Sequence, residues 1–402
     1  MNISVAAVRN NHEPHLARAA SVERLLEFLR GRRQDVLEIL TDVASYSAAD
    51  AELAASIKAL EGAVLEIDAR QPRTVGQMSV FMPSNIVLYS YVLYLVIPSL
   101  FVRRIDFRPS SYVIEQTARL HAMLGPVHGL PLHIRCVSQR TFMEDSVRPA
   151  NIVVFTGTYA NAEKIKLQLR KDQLYVFFGQ GVNPFIVSES ADIDSAVRDL
   201  VAVRMFNSGQ DCMGPDAVFV HRSVAERFLG LLSARLKDLV FGSCKDPEAD
   251  YCPIYYPSTL ESLSKYFMSN AQFIYTGGIV DYSRKKIEPT VLYGSLKQKP
   301  EIVEFFGPVF NVIRYDTNDA LIGELAKDFY KDRAMGASVY GNRSLADYLR
   351  THHSVSVDAT LFDIEDGNSP FGGYGPMANY AQYQGRMKIA PLLISQVVSD
   401  LM

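Results

Sequence analysis

The chain has 402 residues, 48% hydrophobic and 21% charged, which fits a folded globular protein with a large core and excludes wholesale disorder. Its 41 basic and 44 acidic side chains leave a net charge of −3, so no global charge draws it to nucleic acid or to an anionic membrane. The four cysteines, 136, 212, 244 and 252, lack zinc-ligand spacing, so no metal site is expected and reduced thiols are the default reading.

The segment Met1 to Asn11 has no apolar signal core, which with the thiols points to a cytoplasmic protein. Helical periodicity follows. Val22, Leu25, Leu26 and Leu29 share one face, with Ser21 as the expected cap. Val36, Leu37, Leu40 and Val43 continue the pattern, and Leu53, Ile57, Leu60 and Val64 open another helix. The stretch Ile86 to Val102 is apolar or tyrosine almost throughout. It is short for a membrane span and holds Pro98, so it predicts a buried helix feeding a strand.

From about residue 78 short β-rich runs alternate with helical stretches. The runs are Val80–Met82, Ile105–Phe107, Ile152–Phe155, Tyr175–Phe178, Phe185–Val187 and Val218–Val220. Ile193, Val197, Leu200 and Val201 mark a helix between the last two. This alternation predicts a parallel α/β architecture with helices on both faces. Cys244–Pro253 reads as a polar loop, and Pro391–Val398 as an apolar, β-like run.

Two turns carry chemistry on their own residues. Phe155-Thr156-Gly157-Thr158 ends a strand and leads into a helix, a place where a helix N-terminus can meet a phosphate. It lacks the further glycines of the dinucleotide fingerprint, and an ordinary strand-to-helix turn would look the same. Asn207-Ser208-Gly209-Gln210-Asp211-Cys212 sets a cysteine in a turn between a helix and a strand. There a thiol can act as a nucleophile and nearby N–H groups can hold an oxyanion, although a small core residue is the plain alternative.

Further motifs join these in chain order: Pro83-Ser84-Asn85, Arg108-Pro109-Ser110, Asn183-Pro184-Phe185-Ile186-Val187, Glu288-Pro289-Thr290, Glu304-Phe305-Phe306-Gly307-Pro308-Val309 and Pro370-Phe371-Gly372-Gly373. The series resembles the aldehyde dehydrogenase superfamily over roughly residues 78 to 402. The resemblance implies an α/β fold of that type. N-terminal helices and a Rossmann-type NAD(P)-binding domain would occupy 1–180, and an α/β catalytic domain 181–375. A C-terminal return with a small oligomerisation strand would occupy 376–402, in a homodimer or homotetramer.

The resemblance also implies oxidation of a small-molecule aldehyde with NAD or NADP. Cys212 would form a thiohemiacetal and then a thioester. Asn85 and the backbone N–H of Cys212 would hold the oxyanion. Phe155, Thr156, Gly157 and Thr158 would face the pyrophosphate, and Arg108 and Ser111 the adenosine ribose. Glu304 and Phe306 would hold and back the nicotinamide ribose and ring.

The chain departs from the family at several places. Hydrolytic members carry a glutamate in Glu-Leu-Gly-Gly before Asn-Pro, as the base for the deacylating water. Here Val176-Phe177-Phe178-Gly179-Gln180-Gly181-Val182 puts an aromatic or apolar residue there. Another base, a thiol acceptor as in the CoA-acylating branch, or a non-catalytic paralogue that keeps the fold would each account for it. Second, the usual Lys-Pro-x-Glu is Arg108-Pro109-Ser110-Ser111. That removes a carboxylate that would repel a 2′-phosphate and adds a guanidinium able to grip one, so NADP should be accepted. A surface ion pair is the plain alternative for Arg108. Third, Ala162 replaces a glycine of the phosphate turn and is expected to narrow it, and Arg103-Arg104 is expected in a loop.

Overall fold

Three amphipathic helices open the computed structural model, which describes residues 13–402: Glu13–Gly31, Arg33–Leu40 and Tyr46–Arg70. Met1–Asn11, read above for a signal, lies outside the described residues. Ser21 is inside the first helix rather than at its cap, while Ser45 does cap the third, accepting the N–H of Ala48 at 3.4 Å. The leucines and valines of their shared faces are buried against the first sheet and its neighbours.

The first sheet has seven strands in the order Arg386–Lys388, Asn379–Tyr383, Leu174–Phe178, Ile152–Thr156, Val75–Phe81, Val102–Arg108 and Leu132–Ile134. The last five are mutually parallel; Asn379–Tyr383 pairs antiparallel with Leu174–Phe178, and Arg386–Lys388 antiparallel with Asn379–Tyr383. The chain order of the parallel five reverses between Val75–Phe81 and Ile152–Thr156. In open α/β sheets ligands bind outside the carboxyl ends of strands at such a reversal. Ile152, Val153 and Val154 are all fully buried, as expected of a strand covered on both faces.

The second sheet also has seven strands: Ser354–Val357, Gly336–Tyr340, Pro184–Val187, Ala217–His221, Val309–Tyr315, Thr290–Ser295 and Ile274–Thr276. All neighbours are parallel except the last pair. The hairpin Val280–Asp281 with Lys286–Ile287 stands apart.

Several expectations change. Pro391–Val398 is not a strand: the chain is helical over Ile394–Leu401. Ile394, Val397 and Val398 stand at helical spacing and are buried, and Ser395 Oγ donates to Glu66 at 2.6 Å. Arg103 and Arg104 lie within the strand Val102–Arg108, not in a loop before it. Cys244 and Cys252 form a disulfide, so not all four thiols are reduced; Cys136 and Cys212 are free. The loop between the pair closes on itself, with Gly242 N–H on Tyr251 O at 3.1 Å and Asp250 N–H on Val240 O at 2.9 Å, and the two Cα atoms are 5.0 Å apart. The apolar stretch after Ile86 folds as the short helix Val87–Tyr91, a wider π turn at Val92–Val96 and a 3-10 turn at Pro98–Leu100, before entering its strand. No helix among the described residues is long and apolar enough to cross a membrane.

Candidate active site

A cavity of about 1350 Å³ lies outside the carboxyl ends of the first sheet, against the second. Its lining includes all ten residues singled out above: Asn85, Arg108, Ser111, Phe155, Thr156, Gly157, Thr158, Cys212, Glu304 and Phe306. The strand ends explain the gathering. Asn85 follows Val75–Phe81, Arg108 ends Val102–Arg108, and Thr156 ends Ile152–Thr156.

The cysteine wall comes from the helix Ile193–Met205, which Asp192 caps by accepting the N–H groups of Asp194 and Ser195. After Phe206 the chain turns through Asn207, Ser208 and Gly209 with φ of 48°, 57° and 80°. A left-handed residue with a side chain costs about 1–2 kcal/mol, so two in a row need outside support. They have it. Asn207 Oδ1 accepts the N–H of Ser45 at 3.1 Å, and Ser208 Oγ donates to Cys252 O at 2.9 Å. Gln210 Oε1 accepts the N–H of Tyr255 at 3.0 Å. At Gly209 a Cβ would stand 2.3 Å from the Gly307 carbonyl carbon, so the cysteine turn touches the Glu304 segment backbone to backbone.

Arg204 ties the same two segments from below. Its guanidinium is fully buried. It donates to Gly209 O and Pro215 O at 3.3 Å on one side, and to Phe305 O and Gly307 O at 2.6 Å on the other. Asp216, 3.7 Å away, accepts the N–H groups of Phe305 at 2.9 Å and Asn183 at 3.2 Å. Asn183 Nδ2 donates to the carbonyl of Cys212 at 2.7 Å. Arg204 was not among the expected site residues. Its spacing held the signal, because it follows Val197, Leu200 and Val201 on the buried face of the helix.

The electrostatics of this wall are acidic. Burial, followed by the charges of Asp211 and Glu304, pushes the Cys212 thiol well above its ordinary pKa. Burial and the Asp216 charge push Glu304 up to about 8, although Gln180 Nε2 donates to it at 3.0 Å. Glu52 reaches the cavity from the helix Tyr46–Arg70 and accepts the N–H groups of Leu88 at 2.6 Å and Tyr89 at 3.0 Å. Burial raises it to about 7.

The opposite wall is built more sparsely. Gly157 has a φ of 154°, and a Cβ there would come within 3.1 Å of the Phe155 ring. Thr158 caps the helix Tyr159–Lys166, accepting the N–H of Asn161 at 3.4 Å. Ala162 does not narrow the cavity, because its side chain is fully buried with Phe81, Phe142 and Tyr175 and is not part of the lining. Arg108 donates to Val137 O at 2.9 Å and to Pro109 O at 3.4 Å. Both partners are backbone carbonyls, and no carboxylate pairs with it among the described residues, so the surface ion pair considered for it is not formed. Of the two aromatic residues at the missing glutamate, Phe178 lines the cavity and stacks on Tyr94 at 5.4 Å, while Phe177 is fully buried.

Comparison with known proteins gives a consistent picture. A model of the aldehyde dehydrogenase family matches residues 140–376. The 4,4'-diapolycopene-4,4'-dial dehydrogenase of Cytobacillus firmus is 27% identical over 242 residues, 59% of this chain and 52% of that protein. Human mitochondrial aldehyde dehydrogenase is 27% identical over 258 residues, 62% of this chain and 47% of that protein. The chain spans about half the length of the curated relatives it matches. Among solved structures, the glyceraldehyde-3-phosphate dehydrogenase GapN of Methanocaldococcus jannaschii, complexed with NADP, superposes with a TM-score of 0.77 at 19% identity. That match covers 90% of this chain and 84% of GapN. PnpE of Pseudomonas sp. WBC-3 gives 0.82 at 16% identity, covering 95% and 83%.

Proposed function

The chain belongs to the aldehyde dehydrogenase family, and from that premise we propose that it is an NAD(P)-dependent oxidoreductase acting on an aldehyde through Cys212. The observation that carries this reading is the single cavity lined by Cys212, Asn85, the Phe155–Thr158 turn, Arg108 and Glu304. The first sheet would be the cofactor domain and the second the catalytic domain.

The residues present fit a dinucleotide. Arg108 and Ser111 line the cavity together with the Gly157 turn, Glu304 and Cys212, and Arg108 bonds only backbone carbonyls among the described residues. The Arg108 guanidinium and the Ser111 hydroxyl would hold the adenosine ribose and accept a 2′-phosphate. The bound cofactor would supply the hydride acceptor. Cys212 Sγ adds to the aldehyde carbon, and the Asn85 amide and the Cys212 N–H hold the oxyanion that forms. The thiol proton leaves to solvent through the open cavity. Glu304 would hold the nicotinamide ribose; burial and the Asp216 charge raise its carboxyl to about 8, so it keeps its proton through most of the neutral range. Leu93, Tyr94, Phe206 and Phe362 give the cavity an apolar side, which suits an apolar or aromatic aldehyde.

One observation supports a second reading. Phe178 lines the cavity at the place of the usual water-activating glutamate and cannot take a proton. A thiol acceptor of the CoA type would remove the acyl group without that base, and the reverse reaction would reduce an acyl thioester. A homodimer or homotetramer, located in the cytoplasm, completes the proposal; the edge strand Arg386–Lys388, paired on one side only, offers a surface for a second copy.

The test is a titration of the purified protein with NADH and NADPH. Saturable binding of both, with NADPH at least as tight, is the expected result. No binding of either would move the protein to the non-catalytic reading. NADPH binding about tenfold weaker than NADH would remove the role given to Arg108 and Ser111.

A further inference from the structure

The cysteine turn leans on a segment far along the chain. The Ser208 side chain is fully buried, and its hydroxyl meets the backbone of one residue twice: it donates to Cys252 O and accepts the Cys252 N–H, each at 2.9 Å. The N–H of Tyr255 holds Gln210 at 3.0 Å. The segment Cys252–Tyr255 therefore grips two residues of the turn that presents Cys212. Ser208 is left-handed, with a φ of 57°, a conformation that depends on such contacts. Cys252 is in turn anchored by its disulfide to Cys244. Cys252 is buried and Cys244 is half-exposed, in a polar loop open to solvent.

We propose that the Cys244–Cys252 disulfide is a redox modification site that locks the Cys212 turn, and that a small dithiol reductant opens it. A reductant thiolate attacks the half-exposed sulfur of Cys244, forms a mixed disulfide and releases Cys252 as a thiolate. The second thiol of the reductant then displaces Cys244, and the reductant leaves as its own disulfide. Two electrons and two protons reach the protein, so both cysteines end as thiols. Cys252 then loses its covalent anchor, its peptide moves more freely against Ser208, and the left-handed turn relaxes. Cys212, half-buried in the locked turn, becomes more open to attack by an external reagent.

The test reads the Cys212 thiol itself, so its outcome does not depend on the aldehyde chemistry proposed above. The protein, purified without reductant, is alkylated with iodoacetamide before and after treatment with dithiothreitol, which is removed first. Rates are followed at each cysteine by peptide mass spectrometry, with the exposed Cys136 as the internal control. Reduction should speed Cys212 alkylation about fivefold and leave Cys136 unchanged. Cys244→Ser should match the reduced wild type and ignore dithiothreitol. Ser208→Ala should be fast in both states, because it cuts the lock from the other side. Cys212 rates within about twofold in all these samples would overturn the proposal. So would recovery of Cys244 and Cys252 as separate thiols from the untreated protein.

Discussion

The two walls of the cavity are held in different ways. The cysteine wall is fixed from several directions: Arg204 reaches four carbonyls, Asp216 takes two backbone N–H groups, and Asn183 holds the Cys212 carbonyl. The phosphate-turn wall has one helix cap, two backbone N–H groups held at Gly157 and Tyr159, and an arginine that donates to two carbonyls. Under the proposed function the first wall would place a nucleophile against an oxyanion site and would gain from rigidity, because small misplacements there cost much rate. The second would admit a large cofactor and keep donors available for it. The contrast predicts that substitutions on the first wall act on chemistry and folding, and those on the second on cofactor affinity.

The largest effect falls at the tip of the first wall. Cys212→Ala should lower turnover about 10³-fold or more while NADH binding stays close to that of the wild type. Stopped turnover with intact binding separates the nucleophile from the cofactor site. Turnover within tenfold of the wild type would put the chemistry on another residue. Next comes the base of that wall. Arg204→Met leaves four carbonyls without this donor and Asp216 without its cation, and losing one partner of a buried ion pair costs about 3–5 kcal/mol. Thr158→Ala on the opposite wall removes a helix cap and should cost only about 1 kcal/mol. Urea denaturation of the two variants measures the contrast, and equal losses would erase it.

A smaller effect belongs to the open wall. Arg108→Ala should weaken NADPH binding about tenfold and leave NADH nearly unchanged, because the guanidinium is matched to the extra phosphate. Equal weakening of both would mean that Arg108 acts through the Val137 and Pro109 carbonyls on the shape of the wall rather than on the phosphate.

What the sequence made legible follows the same contrast. The parallel strands appear as apolar runs because both faces are covered, and the motifs at their ends could be placed from order alone. The run Pro391–Val398 was misread because a short apolar segment fits either period, and its packing on the helix Tyr46–Arg70 decides for helix. Arg204 escaped because a charge late in an amphipathic helix is usually solvated, and only the path of the Glu304 segment shows what it bonds. The Cys244–Cys252 bond depends on how a polar loop closes, which residue spacing does not determine. For Phe177 and Phe178, the direction each ring faces was needed to tell them apart.

The smallest effect concerns pH, and it tests the acidity of the cysteine wall against the rest of the molecule. Burial raises Glu52 and Asp216 to about 7 and Glu304 to about 8. Their unfolded values are near 4, so the folded state binds more protons between about 4 and 8, and stability from these groups falls as pH rises through that window. His128 and His353 act with the opposite sign. Both are lowered to about 4, so the folded state binds fewer protons up to about 6.5, and their contribution rises with pH below that point. In mild acid the two histidines offset only part of the three carboxyls, and above it only the carboxyls remain. The melting temperature should therefore fall gently up to about pH 6.5 and more steeply toward about pH 8. Glu304→Gln, which cannot titrate, should flatten the upper part of that decline, whereas Arg108→Ala should leave it as it is. A decline that Glu304→Gln does not alter would place the titrating group elsewhere than Glu304, with Asp216 the next in that wall.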